Sequence, residues 1–236
     1  MKQKRTCFAL QILLAALLLG AALLVHAKRP LPDSPLPSSG GKPVPCEEVQ
    51  VCGNTTTYNN CDYRLEIAGT QESGVRRFFA AFGSALRLDE TKLHTADVKS
   101  GLTGTHFRFE QVYESRRVFG AEVSASVDRN ARIRKISSSY FPIDSVLGGK
   151  IPTVTAEAAE AVGRAAIGKP VGAVPTLRQP TRSELVWFPV TGTGAVLLVW
   201  ELMIHSQLPF PGDYLTLVDA GSGVLLHQED RLAMSN

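Results

Sequence analysis

From Thr70 onward the apolar positions fall at intervals of three, four and seven, with Val75, Phe78, Phe79, Phe82 and Leu86 on one face. That spacing predicts an amphipathic helix capped by Thr70, and an aromatic stripe on one helix face reads as core packing. The period then changes to two. Phe107, Phe109, Gln111 and Tyr113 alternate with His106, Arg108, Glu110 and Val112, and after a charged turn at Glu114-Ser115-Arg116-Arg117 the residues Val123, Ala125 and Val127 share one side. Two antiparallel strands are expected there, and a third over 132–140 after the turn at Asp128-Arg129-Asn130-Ala131. A Gly-containing connector, 142–152, leads to a second helical pattern. Thr155 caps it, Glu157 and Glu160 suit its positive end, and Ala159, Val162, Ala166 and Ile167 form its apolar face before Gly168-Lys169-Pro170 stops it. Strands follow again over 183–190, 195–206 and 213–218, ending in a hairpin at Asp219-Ala220-Gly221-Ser222-Gly223, where Asp219 and Gly223 are turn residues. The repetition predicts an α+β fold of two small units, each a helix packed on an antiparallel β meander.

The first 69 residues follow other patterns. Lys2, Lys4 and Arg5 precede an apolar run from Phe8 to Val25, and Val25-His26-Ala27 offers short residues at the positions a signal peptidase reads. Residues 1–27 therefore read as a secretory signal cleaved after Ala27, the alternative being an uncleaved membrane anchor. Residues 28–45 hold six prolines in eighteen positions, which excludes helix or central strand and marks an extended linker. A Cys-containing segment, 46–69, comes next. With Cys7 leaving in the signal, Cys46, Cys52 and Cys61 remain in an oxidising compartment, where one disulfide is expected. Cys46 with Cys52 or Cys52 with Cys61 would close a small loop and leave one thiol over. Their spacing is not Cys-x-x-Cys and no histidine lies close, so zinc is disfavoured.

Charge and chemistry narrow the function further. Without Lys2, Lys4 and Arg5 the 25 basic residues fall to 22, equal to the acids, and a near-neutral chain has no electrostatic footprint for nucleic acid. The remaining histidines, His94, His106, His205 and His227, are scattered singly, and no His-Glu-x-x-His pair occurs. Ser124, Ser126 and Ser137 to Ser139 sit in strand-like stretches rather than in Gly-x-Ser-x-Gly, and Gly192-Thr193-Gly194 lacks the lysine and helix of a phosphate loop. No catalytic, cofactor or metal site is legible, and none is expected.

The segment Leu102-Thr103-Gly104-Thr105-His106-Phe107-Arg108-Phe109-Glu110-Gln111-Val112-Tyr113, with Val118-Phe119-Gly120-Ala121-Glu122-Val123, resembles the central motif of the fungalysin/thermolysin propeptide (FTP) domain. Residues 153–229, with Trp200-Glu201-Leu202 and the Val218 to Leu225 hairpin, resemble the PepSY domain that follows it in precursors of secreted zinc metallopeptidases. The resemblance implies an FTP-like domain over 70–145 and a PepSY-like domain over 151–230. It also implies a non-catalytic role, as inhibitor and folding assistant of a zinc metallopeptidase catalytic domain, in cis or in trans. The motif residues are Gly104, His106, Arg108, Gln111, Tyr113, Val118, Gly120 and Glu122. His106, Arg108 and Gln111 are expected to shape the domain through hydrogen bonds rather than to touch the peptidase. Gly104 and Gly120 are expected to relieve backbone crowding. The chain departs from the family where Gly-x-Pro-Val is common, reading Ser115-Arg116-Arg117-Val118, and Arg116 and Arg117 are expected at a solvated hairpin tip. Alternatives are the prosegment of a longer precursor and a secreted binding module with no peptidase connection. Contact with a membrane is expected only through an uncleaved first segment.

Overall fold

The computed structural model describes residues 43–66, 69–168 and 172–232. The signal segment, most of the Pro-rich linker, and Lys169 and Pro170 at the predicted helix stop lie outside them.

The chain forms an α+β structure with two α-helices and an open, mixed sheet of twelve strands among the described residues. Strands β1 (Cys46–Cys52) and β2 (Thr55–Arg64) pair as a hairpin around Gly53, whose φ is +56°. Helix α1 (Gln71–Leu86) starts where Thr70 accepts a hydrogen bond from the Ser73 amide, and it ends at Arg87 in the left-handed region. A 3₁₀ turn (Glu90–Lys92) leads into β3 (Leu93–Ser100), β4 (Gly104–Tyr113), β5 (Arg116–Asp128) and β6 (Arg132–Ser138). β2 pairs with β6, β6 with β5, β5 with β4 and β4 with β3, all antiparallel. The predicted stripe of α1 is buried against Phe107, Phe109, Val123, Ala125, Val127, Ile133 and Ile136. Burying each such side chain contributes about 1.5–3 kcal/mol before chain entropy is counted. Tyr58, Cys61 and Leu65 join the same core, so β1 and β2 are built into this sheet through β2.

After β6 the chain forms β7 (Ser145–Leu147), α2 (Ala156–Gly168), β8 (Thr176–Leu177), β9 (Arg182–Val190), β10 (Ala195–Leu208), β11 (Gly212–Asp219) and β12 (Leu225–Asp230). β9 to β12 make the expected antiparallel meander, and β7 adds a short parallel pair to β10 inside the predicted connector. Thr155 caps α2 by accepting from the Ala158 amide. Ala159, Gly163 and Ile167 are buried in α2, and Ala159 and Ile167 pack with Leu202, Ile204 and Val218. At Gly163 an added Cβ would lie 2.6 Å from Ile204 Cδ1 and 3.1 Å from Thr216 Cγ2, so the helix sits close to the sheet and a larger residue requires those side chains to shift.

The two meanders meet at one parallel bridge, Val118 of β5 to Trp187 of β9.

Two expectations are corrected here. Cys46 pairs with Cys61, not through either of the small loops, because the β1–β2 register sets these two residues opposite each other with Cα atoms 3.9 Å apart. Cys46 and Cys52 stand at opposite ends of one extended strand, about 20 Å apart at roughly 3.3 Å per residue. Cys52 is disulfide-bonded as well, so no described cysteine is the leftover thiol. The turn between β4 and β5 is also shorter than expected: Glu114 and Ser115 alone form it, both at positive φ (44° and 62°), while Arg116 and Arg117 belong to β5. Ser115 thus adopts the backbone region for which glycine is better suited.

Candidate functional site

Among the described residues no group of three or more His, Cys, Asp and Glu side chains is placed to hold a metal ion. The histidines stay apart. His94 is on β3, His106 meets Ser126 at 2.9 Å, His205 meets Asp213 at 2.6 Å, and His227 meets Glu229 at 3.3 Å. Among the described residues no helix is long and apolar enough to cross a membrane. What the fold concentrates instead is a set of motif residues at the junction of the two meanders.

Gln111 is the most constrained of them. It is 2% exposed, its amide nitrogen donates to the Phe141 carbonyl at 2.7 Å, and its amide oxygen accepts from the Phe141 N–H at 2.8 Å. Both polar atoms of a buried amide are thereby satisfied, and the chain leaving β6 is fixed. Tyr113 offers its carbonyl to the Trp187 indole N–H at 2.9 Å, and the two rings stand edge to face, 5.8 Å apart. Trp187 is fully buried with Val118, Ala121, Val196 and Leu198.

Arg116 and Arg117 are the third correction, since neither is a solvated tip. The Arg116 guanidinium lies 5.9 Å from the Trp187 ring. Arg117 donates to Glu184 of β9 at 3.2 Å and to Glu201 of β10. Burial works against its charge, but the carboxylates of Glu201 and Glu184 outweigh that and hold the guanidinium more firmly protonated than usual. These three residues join segments 67 and 84 positions apart.

The other motif residues shape β4 and β5. Arg108 pairs with Glu122 at 3.1 Å across the two strands, and the Glu122 amide donates to the Ser139 hydroxyl at 2.9 Å. Gly104 has φ +154°, and a Cβ there would meet the Val127 carbonyl oxygen at 2.0 Å, so only glycine allows β4 to begin so close to β5. Gly120, at φ +68°, faces open space. At the far hairpin the Asp219 carboxylate accepts from the Gly221 and Ser222 amides at 2.7 and 3.0 Å, and Gly223 takes φ +75°.

Two clefts flank the junction. One, of about 580 Å³, is charged and lined by Arg108, Glu110, Arg117, Arg182, Glu184 and Glu201. The other, of about 350 Å³, is mainly apolar and lined by Phe119, Gly120, Tyr140, Phe141, Phe188 and Pro189. Glu184 and Trp187 carry no motif of their own, and Glu201 stands out in the sequence only as part of Trp200-Glu201-Leu202. The other hint in the sequence is a tryptophan within a strand-like run, whose N–H needs an acceptor once buried. The arrangement, with Arg117 paired to Glu184 and Glu201, can bind and position.

Residues 94–140, which span β3 to β6, match the family described as the Fungalysin/Thermolysin Propeptide Motif. The chain is 29% identical over 134 residues to the thermostable neutral protease NprT of Geobacillus stearothermophilus, covering 54% of this chain and 23% of that protein. It is 23% identical over 192 residues to bacillolysin of Bacillus subtilis (strain 168), covering 79% and 37% respectively. The chain therefore spans less than two fifths of the length of these relatives. Among solved structures it is similar to the Bacillus megaterium YpeB C-terminal domain, with a TM-score of 0.37, 11% identity, and coverage of 76% of this chain and 72% of that one.

Proposed function

We propose that this chain is a non-catalytic propeptide-type protein that binds the catalytic domain of a thermolysin-like zinc metallopeptidase, blocks it and assists its folding. The observation that carries the reading is the match of residues 94–140 to the propeptide motif, supported by alignment with two bacterial proteases outside the greater part of their length. Physical logic agrees with it. A protein that binds only the native peptidase stabilises that state by mass action and excludes substrate, and it needs a rigid shape rather than reactive groups. In this reading the FTP-like domain covers 70–145 and a PepSY-like domain 151–230, with the junction of Gln111, Arg117 and Trp187 keeping them in one orientation. Export, with cleavage near Ala27, belongs to the same reading.

The test is to mix the purified chain with a thermolysin-like neutral protease, measuring hydrolysis of a peptide substrate and the yield of active enzyme on refolding from denaturant. Dose-dependent inhibition and a raised refolding yield are expected. Neither effect, together with no complex on gel filtration, leaves only a binding module unconnected to peptidases. A second reading is favoured by the short share of the relatives that the chain covers: the same surfaces act in cis, as the prosegment of a longer precursor.

A further inference from the structure

The mainly apolar cleft of about 350 Å³ lies where the two halves meet, and each half gives it a wall. Phe119 of β5 and Tyr140 after β6 line it from the first half, Phe188 of β9 and Thr191 of the following turn from the second, and Asn54 of the β1–β2 turn borders it. At Gly120 an added Cβ would meet no atom within 4 Å, so the space in front of this backbone is left bare. Such a lining suits a proline-rich segment, which docks in aromatic-lined grooves as a preformed extended helix and loses little entropy in doing so.

The chain carries such a segment just ahead of the described residues. Positions 30–37 read Pro-Leu-Pro-Asp-Ser-Pro-Leu-Pro, with Pro32 and Pro35 at the Pro-x-x-Pro spacing and Leu31 and Leu36 as side chains to bury. Ser38-Ser39-Gly40-Gly41-Lys42 joins it to Pro43, and its small residues permit the chain to reverse. The lengths then match. From Pro43 to Cys52 the extended chain runs about 30 Å at roughly 3.3 Å per residue, up to the turn that holds Asn54. Counting back from Lys42 at roughly 3.1 Å per residue, the same distance is covered at Pro32, and Leu36 comes level with Val49. Val49 and Val51 are 48% and 67% exposed along this path. Val49 stands opposite Tyr58, which packs on the same core as Tyr140, so the path lies on the cleft's side of the sheet.

We propose that residues 30–37 fold back beside β1 of their own chain and occupy this cleft, with Pro30-Leu31-Pro32 among its aromatic side chains and Leu36 over Val49. The connection favours this occupant over a free one, because a short tether holds it at an effective concentration in the millimolar range. Prolines without N–H groups keep it from adding to β1 as a further strand. Since each half supplies one wall, the segment straps the two meanders together. This inference does not depend on the peptidase reading.

The test compares ¹H–¹⁵N NMR spectra of the full chain with those of a chain carrying both Leu31→Asp and Leu36→Asp. The amide signals of Phe119, Gly120, Ala121 and Thr191 are expected to shift between the two, while those of α2 stay in place and report an intact fold. A synthetic peptide of residues 28–42 is expected to return the variant's cleft signals to their wild-type positions with a submillimolar Kd, and to bind the wild-type chain several-fold more weakly because the site is already filled. Superimposable spectra of the two chains, a peptide that binds neither chain or both equally, or wild-type cleft signals that move with protein concentration, the mark of a segment reaching into another copy, each overturns the proposal.

Discussion

The two helices face their strands by opposite means. α1 fills the space above its sheet with aromatic volume, and Phe78, Phe79, Phe82 and Phe109 form a chain of ring contacts with centroids 4.6 to 6.1 Å apart. α2 removes the space instead. Gly163 brings its backbone against Ile204 and Thr216, and the Gln228 amide donates both to the Gly163 carbonyl at 3.0 Å and to the Thr216 hydroxyl at 2.9 Å. A core held by bulk loses stability when atoms are removed, and one held by close approach loses it when atoms are added. The same kind of substitution should therefore have opposite consequences in the two halves.

The largest expected effect is at Phe79, fully buried between α1 and Phe109. Phe79→Ala should lower unfolding stability by about 3–5 kcal/mol, read from denaturant midpoints. Gly163→Val tests the other half and should cost about 1–3 kcal/mol through overpacking, whereas Ala80→Val on the exposed side of α1 should stay within about 0.5 kcal/mol. A Gly163→Val chain as stable as wild type would show that α2 does not rest on close approach. Between the halves, Gln111→Leu leaves the Phe141 N–H and C=O without their buried partner and should cost about 1–3 kcal/mol. It should also weaken peptidase inhibition in the refolding assay.

The smallest effect depends on pH. Glu72, in the first turn of α1, accepts from the Thr95 hydroxyl and from Arg76, and the Thr95 hydrogen bond is the main cause that sets its carboxyl below the ordinary value of 4.5. The folded state thus prefers the charged form. Its contribution is complete above the ordinary carboxylate range and fades as pH falls through the lowered value. Glu72→Gln should flatten the acid limb of the stability profile and change little near neutrality, as measured by thermal melts from acid to neutral pH.

The elements that were legible in the sequence are those with one wet and one dry face. Val75 to Leu86 and Phe107 to Val127 carry their period openly because a single helix or sheet face is buried. β3 was hidden because only Leu93 is buried along it; its ladder to β4, not its side chains, makes it a strand. β1 and β2 were hidden by Thr, Asn and Gln at their exposed positions, and the Cys46–Cys61 pairing was hidden with them, since a disulfide follows register once a hairpin forms. The motif residues could be picked out, but not their partners. Arg117 reads as a surface charge until β9 and β10 bring Glu184 and Glu201 beside it, and nothing local encodes contacts across some seventy residues.

The chain's two tryptophans turn this architecture into a spectroscopic gauge. Trp187 lies in the junction and Trp200 packs between it and α2, while the aromatic core under α1 holds phenylalanine and tyrosine alone. Excitation at the red edge of indole absorption therefore reports the junction and the second half and is blind to the first. An emission shift that precedes the loss of far-ultraviolet ellipticity would be the optical signature of the two halves parting while each keeps its sheet.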